Sequence, residues 1–315
     1  MRLVFMGTPD FASATLEALL RSDDSVVGVV TQPDRPKGRG QMLTPSPVKL
    51  LARQEQIPLL QPLKMKDPEF LQALTGWKPD LIVVAAYGRI LPPAILSLPP
   101  LGCVNVHGSL LPKYRGAGPI QWALINGETE TGITTMLMDE GMDTGAMLLQ
   151  EAIPITSDDT VGTLSPRLAE LGGRLLVETI ARLKAGTLVP KPQDSSRATL
   201  APLLKKEDGA IDWALPAAVL ANRVRGLSPW PGAYTTVARG DRWIVSRALA
   251  LPVPVTKPPG VVVAITHEAL HVATGEGILA VMELQPSNSR RMAVSQYLAG
   301  HPIAVGLQLG GPALS

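Results

Sequence analysis

The chain has 315 residues, 45% of them apolar and 18% charged, with a net charge of +2 from 29 basic and 27 acidic side chains. That composition predicts two domains of ordinary size and excludes a disordered or polybasic chain. Apolar runs such as 81–87 fall far short of the roughly 20 residues of a membrane-spanning helix. The single cysteine, Cys103, allows no internal disulfide, and residues 1–7 run straight into a Thr8-Pro9-Asp10 turn instead of a cleavable leader. A soluble cytoplasmic protein is the expectation.

In chain order, residues 1–6 read as a strand. Asp10 stands where it can cap a helix whose apolar face carries Phe11, Leu16, Leu19 and Leu20. Residues 25–31 read as a buried strand, and 32–47, rich in proline, glycine and basic groups, as a loop. A short helix near 47–55, a brief strand near 57–60, a helix over 67–75 and strands at 80–86 and 103–107 follow. Strands alternating with helices predict a parallel sheet with crossover helices, and such sheets carry their sites beyond the carboxyl ends of the strands. Val161, Leu164, Leu168, Leu171, Leu175 and Leu183 predict a helix over 160–184, stopped at Gly186.

Pro190, Pro192, Ser195, Ser196 and Pro202 make 187–204 the expected linker between a domain at 1–186 and another at 205–315. Short β-prone runs at 233–237, 242–248, 260–265, 269–273 and 278–284 predict a small barrel in the second. Residues 205–315 hold ten basic against seven acidic side chains. The loop 34–49 sets Arg35, Lys37, Arg39 and Lys49 against Asp34. Two basic regions and a barrel point to a polyanionic partner.

Asn105 and His107, two apart on a predicted strand, share one face of it and sit at its carboxyl end beside Gly108. Two readings stand: a pair of satisfied core polar groups, or a site. The strand-end placement favours the site. Asp143 lies on a tight loop between Gly141 and Gly145, where it either orients an imidazole and accepts a proton or caps its own turn. His267 and His271 fall on a β-prone segment with no shared helical face, and no metal is expected.

The run 105–116, Asn-Val-His-Gly-Ser-Leu-Leu-Pro-Lys-Tyr-Arg-Gly, followed by Asp139-Glu-Gly-Met-Asp143-Thr-Gly145, resembles the folate-dependent formyltransferases. The opening at 5–11, the loop at 32–40 with 45–49, and the stretches 206–213, 228–233 and 296–301 resemble the branch of that family that acts on methionyl-tRNA. The resemblance implies an α/β fold, with a Rossmann-like parallel sheet followed by a small OB-like β-barrel. It implies transfer of a formyl group from 10-formyltetrahydrofolate to the α-amine of methionyl initiator tRNA, by a monomer. On the matching positions, Asn105 and His107 would stabilise the oxyanion and Asp143 would take the proton. Ser109, Leu110, Leu111 and Pro112, with Tyr87, Gly88 and Ile90, would meet the folate; Arg35, Lys37, Arg39, Lys205 and Lys206 would meet the tRNA. Other members with the same three residues use a glycinamide ribonucleotide or a sugar nucleotide as acceptor; the basic loop and the 205–301 motifs favour tRNA.

Overall fold

The structure, a computed structural model, describes residues 1–37, 42–237 and 241–310. It divides into two compact units. One comprises Met1–Pro119, Glu130–Pro154 and Ser165–Pro202, the other Ile120–Thr129, Ile155–Leu164 and Leu203–Ser315.

The elements up to residue 184 are β1 (Arg2–Gly7), α1 (Asp10–Leu20), β2 (Ser25–Val30), β3 (Arg35–Lys37), β4 (Met42–Thr44), α2 (Pro47–Gln54), β5 (Leu59–Leu60), α3 (Pro68–Gly76), β6 (Leu81–Ala85), α4 (Pro93–Leu96), β7 (Cys103–His107), α5 (Pro119–Ile125), β8 (Glu130–Leu137), β9 (Met147–Pro154) and α6 (Val161–Lys184). Seven of the strands form one sheet in the order β5-β2-β1-β6-β7-β8-β9. From β5 to β7 it is parallel, as the alternation of strand and helix predicts. All five residues of β6 are buried, because helices cover both faces of such a sheet.

Four sequence expectations need correction. The sheet is mixed: β8 and β9 join it antiparallel. From Leu149 on, β9 alternates half-buried and exposed residues, the signature of an outer strand with one wet face. The 32–47 loop contains an antiparallel hairpin of β3 and β4, which prolines and glycines concealed. Asp10 does not cap α1; Pro9 holds the cap position, and Asp10 lies in the first turn, where its charge suits the helix dipole. The run 187–204 is not a bare tether up to Pro202: residues 191–201 pair with the segments at 115 and 147 in the first unit.

Helices α2 and α3 begin by the same rule. Ser46 and Asp67 accept hydrogen bonds from the Lys49 and Glu69 N–H groups, and Pro47 and Pro68, which lack a donor, take the first helical position. Val4, Met6, Val30, Phe70, Leu74, Ile82 and Val84 belong to a core cluster on this sheet.

The second unit carries α7 (Ala217–Gly226), β10 (Ala233–Thr236), β11 (Arg242–Leu251), β12 (Val262–Ile265), β13 (Leu270–Ala273), β14 (Ile278–Pro286), β15 (Met292–Ala293) and α8 (Val294–Gly300). Its strands form an antiparallel sheet in the order β10-β11-β14-β13-β12, with β15 on β14. Trp213, Leu220, Val224, Trp243, Val245 and Leu279 are among its core residues. Among the described residues, no helix is long and apolar enough to cross a membrane.

Candidate active site

β7 lies between β6 and β8, and its alternation carries Asn105 and His107 toward one carboxylate. Asn105 Nδ2 donates to Asp143 Oδ1 at 3.4 Å. His107 Nδ1 lies 3.7 Å from Asp143 Oδ2. The imidazole is 5% exposed and the carboxylate 16% exposed, so the pair is largely withdrawn from water while the carboxylate keeps an opening to it. On its other side, His107 Nε2 is 2.9 Å from the Tyr114 carbonyl oxygen. A carbonyl only accepts, so this contact puts a proton on Nε2 and leaves Nδ1 facing the acid.

Asp143 reaches this position from the β8–β9 connection, in a left-handed backbone conformation with φ +53°. A Cβ at Gly145 would overlap the Leu137 carbonyl oxygen, so the loop can close only on a residue without one. The Gly116 N–H donates to Asp143 Oδ2 at 2.8 Å. Gln193 Nε2 donates to the Asp143 and Gly145 carbonyl oxygens, both at 2.8 Å. Gln193 Oε1 accepts from Arg115 Nη2 at 2.8 Å and Nε at 3.1 Å.

The loop after β7 is pinned to its neighbours. The Leu111 N–H donates to Thr134 Oγ1 at 3.1 Å, and Thr134 Oγ1 donates to the Ser109 carbonyl at 2.7 Å. Gln150 Nε2 donates to the Leu111 carbonyl at 2.9 Å. Ser109 is itself buried, its hydroxyl donating to the Lys113 carbonyl at 2.6 Å. Leu111 is buried, and Leu110 and Pro112 are half-buried.

Of the residues expected to meet the folate after β6, Ile90 is 77% exposed and Gly88 has φ +75°. Tyr87 requires correction. Its ring is 1% exposed and belongs to the core cluster, with its hydroxyl against Met65 Sδ at 3.3 Å. Burial pushes the phenol up to about 12. What Tyr87 turns toward other groups is its carbonyl, which accepts from Gln32 Nε2 at 2.7 Å.

The basic loop also divides. Arg35 is exposed, its Nη2 donating to Gln32 Oε1 at 2.6 Å, beside a cavity of about 270 Å³ lined by Thr8, Gln32, Thr44 and Ser46 among others. Lys37 enters β3, and Arg39 lies outside the described residues. Lys49 does not belong to that surface. It is 6% exposed, and Nζ donates to Asp34 Oδ2 at 2.6 Å and Gln61 Oε1 at 2.8 Å. The Lys49 hydrogen bond, and then that from Gln61 Nε2 to Asp34 Oδ1 at 2.9 Å, hold the Asp34 carboxyl below the usual carboxylate range.

In the second unit, Lys205 and Lys206 are exposed. Lys206, Trp230, Arg242 and Asn288 are among the residues lining a cavity of about 330 Å³. Arg225 is engaged elsewhere: its guanidinium donates to the Thr156 and Asp159 carbonyls and to Asn222 Oδ1. Two residues at the site escaped the sequence reading. Gln193 sits among prolines with no periodicity to mark it, and Arg115 looks like one more surface cation until its burial, at 8% exposure, is seen.

Known proteins match this chain along its length. The formyl transferase family model covers residues 1–180, and that for the formyl transferase C-terminal domain covers 203–302. A methionyl-tRNA formyltransferase of Desulfotalea psychrophila is 53% identical over 303 residues, 96% of this chain and 94% of the relative. One from Trichlorobacter lovleyi is 50% identical over 308 residues, covering 98% and 96%. Among solved structures, an N-formyltransferase of Helicobacter canadensis in complex with folinic acid and dTDP-3-aminofucose superposes with a TM-score of 0.64 at 17% identity, covering 92% of this chain and 99% of that one. HypX of Aquifex aeolicus in complex with tetrahydrofolic acid gives 0.61 at 18%, covering 98% of this chain and 50% of that one. Identity near half along nearly the whole length identifies a family, whereas the structural likenesses carry the fold alone; the chain belongs to the methionyl-tRNA formyltransferase family.

Proposed function

We propose that this chain transfers the formyl group of 10-formyltetrahydrofolate to the α-amine of methionyl initiator tRNA. The observation that carries the reading is the meeting of Asn105, His107 and Asp143 at the end of one buried strand. Attack by the amine on the formyl carbon makes the formyl oxygen negative and leaves a proton to be removed. Collapse of this tetrahedral intermediate re-forms the carbonyl and breaks the bond to N10, which takes up a proton and leaves as tetrahydrofolate. Asn105 supplies an N–H donor for that oxygen. Asp143 accepts the proton, directly or through a water. His107 is held through Nε2–H by the Tyr114 carbonyl and turns Nδ1 toward Asp143; the proton released by the amine, passed on to Nδ1, makes it a donor to the oxyanion.

The donor substrate needs a slot for a flat ring with mixed donors and acceptors. The chain provides suitable material after β6 and after β7. Gly88 has a left-handed backbone, Ile90 is an exposed apolar side chain, and the 109–112 loop is fixed by Thr134 and Gln150. Ser109, Leu110, Leu111 and Pro112 with Gly88 and Ile90 would hold the folate, Leu110, Pro112 and Ile90 being the side chains among them that reach the surface. The tRNA is assigned to Arg35 and Lys37 of β3, to Arg39, and to Lys205 and Lys206 in the second unit, which neutralise phosphates. A charged tRNA is a cytoplasmic substrate, and the protein is proposed to act there as a monomer.

The test is transfer of labelled formyl from the folate to charged initiator and elongator methionine tRNA, with a glycinamide ribonucleotide and an amino-sugar nucleotide as alternative acceptors. Preferential labelling of the initiator tRNA is expected. Labelling of either small acceptor in its place would reassign the enzyme, and tRNA binding without transfer would make it a binding protein.

A further inference from the structure

Asp143 is held from two sides, and both ties lead to the same short stretch of chain. Its carboxylate accepts the Gly116 N–H at 2.8 Å. Its backbone carbonyl accepts from Gln193 Nε2 at 2.8 Å, and Gln193 Oε1 is gripped by the Arg115 guanidinium at 2.8 and 3.1 Å. The second Gln193 N–H goes to the Gly145 carbonyl at 2.8 Å. A carboxamide has two N–H donors and an oxygen with two lone pairs, so these contacts use the full capacity of the group.

The stretch that bears Arg115 and Gly116 is itself braced by the strap that bears Gln193. Thr199 Oγ1 accepts the Tyr114 N–H at 2.9 Å, the Thr199 carbonyl accepts the Arg115 N–H at 2.9 Å, and the Ala201 N–H donates to the Arg115 carbonyl at 2.7 Å. A Cβ on Gly116 would stand 2.6 Å from the Ala201 carbonyl oxygen, so the two segments lie as close as a glycine permits. Tyr114, next in line, supplies the carbonyl that fixes His107. One run of three residues, 114–116, therefore sets the imidazole, the carboxylate and, through Gln193, the backbone under the carboxylate.

The backbone at Asp143 needs that support. Its φ of +53° lies in the left-handed region, which aspartate enters more readily than most residues but still seldom, and such conformations persist where their surroundings over-determine them. We propose that Gln193 is a positioning residue for the formyl transfer, clamping the Asp143–Gly145 turn so that the carboxylate stays within reach of Asn105 and His107. This rests on the assignment of Asp143 as proton acceptor. Glutamate is a poor replacement, because its carboxylate still faces Arg115 but offers no hydrogen to the two carbonyls.

The experiment measures formyl transfer to methionyl initiator tRNA by the full chain carrying Gln193→Ala, Gln193→Glu, Asp143→Asn, or Gln193→Ala with Asp143→Asn. Both Gln193 variants are expected to lower kcat by about 10- to 100-fold, the scale of a misplaced catalytic group, with KM for folate and tRNA within about twofold of the original. On the Asp143→Asn background, Gln193→Ala is expected to change kcat by less than about twofold, since its effect passes through a carboxylate already removed. Normal kcat in Gln193→Ala overturns the proposal, and so does activity restored in Gln193→Glu. An equal further loss on the Asp143→Asn background also overturns it, because Gln193 would then act on general packing. Normal turnover in Asp143→Asn alone is a different failure, that of the Asp143 assignment itself.

Discussion

Two clusters in the first unit are built from nearly the same parts. At one, a carboxylate (Asp34), a cation (Lys49) and a carboxamide (Gln61) meet; at the other, a carboxylate (Asp143), an imidazole (His107) and a carboxamide (Asn105). The first is closed. Lys49 reaches Asp34 at 2.6 Å and Gln61 at 2.8 Å, while Gln61 Nε2 donates to Asp34 Oδ1 and to the Gln32 carbonyl, both at 2.9 Å. The second is loose, at 3.4 and 3.7 Å, although the groups around it are tied at 2.8 to 2.9 Å. Short, mutually saturating contacts tie a turn to a helix. Long contacts between well-anchored groups leave donor and acceptor capacity for a third party, and such apo geometry tightens when the reacting atoms arrive.

The sharpest way to break this comparison is to neutralise the two carboxylates in turn. Asp143→Asn is expected to lower turnover by roughly 10²–10⁴, the usual contribution of a positioned proton acceptor. Asp34→Asn is expected to leave kcat within about twofold, because it touches no reacting atom. Stopped-flow or quench measurement of single-turnover formyl transfer compares them directly. Equal losses in the two variants would mean that the loose cluster holds no special chemistry.

How much of this was legible depends on how local the signal is. Asn105 and His107 announce themselves because strand alternation is a two-residue rule and polar groups on a buried strand call for an explanation. Asp143 carried a local signal in its flanking glycines, but that signal equally described a self-capped turn; its partners arrive from 38 and 27 residues away. Gln193 lay beyond reach, since its contacts span 78 and 50 residues and proline-rich sequence looks the same whether it straps a site or hangs free. The parallel half of the sheet followed from alternation of strand and helix, whereas β8 and β9 have no intervening helix to mark them. Lys49 misled the charge reading because a sum of charges cannot tell a buried ammonium from a solvated one.

Gly145 tests the loose cluster from the backbone side. A methyl group there meets the Leu137 carbonyl, so the turn must move and carry Asp143 with it. Gly145→Ala is expected to cost about 10²-fold in kcat, the scale for a displacement of about 1 Å, with the unfolding transition still cooperative. Unchanged kcat would show that the turn tolerates displacement and that the carboxylate position is not critical.

The closed cluster has a smaller, pH-dependent signature. Because Lys49 and then Gln61 hold the Asp34 carboxyl below its ordinary value, folding favours the ionised form. That stability is fully present above the unfolded carboxylate value of about 4 and is lost as pH falls toward the lowered folded value. Lys49→Met removes the leading cause. Its urea midpoint is expected to lie below that of the original chain at pH 7, and the gap is expected to narrow below about pH 4. A gap that stays constant on acidification would mean that Lys49 contributes packing alone.

The smallest effect concerns a cation that, unlike Lys49, faces solvent. Arg35 is exposed at the root of the hairpin and held by a contact at 2.6 Å from Nη2 to Gln32 Oε1, so much of its charge is available to a phosphate. Replacing one phosphate-contacting cation weakens binding across sequences and reduces the salt slope by about 1. Arg35→Ala is therefore expected to raise KM for tRNA severalfold and to flatten the plot of log kcat/KM against log salt by about that amount, with KM for the folate unchanged. The two substrates respond separately because only one is a polyelectrolyte whose binding releases many counterions. A change in folate KM with the tRNA salt slope intact would assign Arg35 to the folate, and the hairpin would lose its proposed part in holding tRNA.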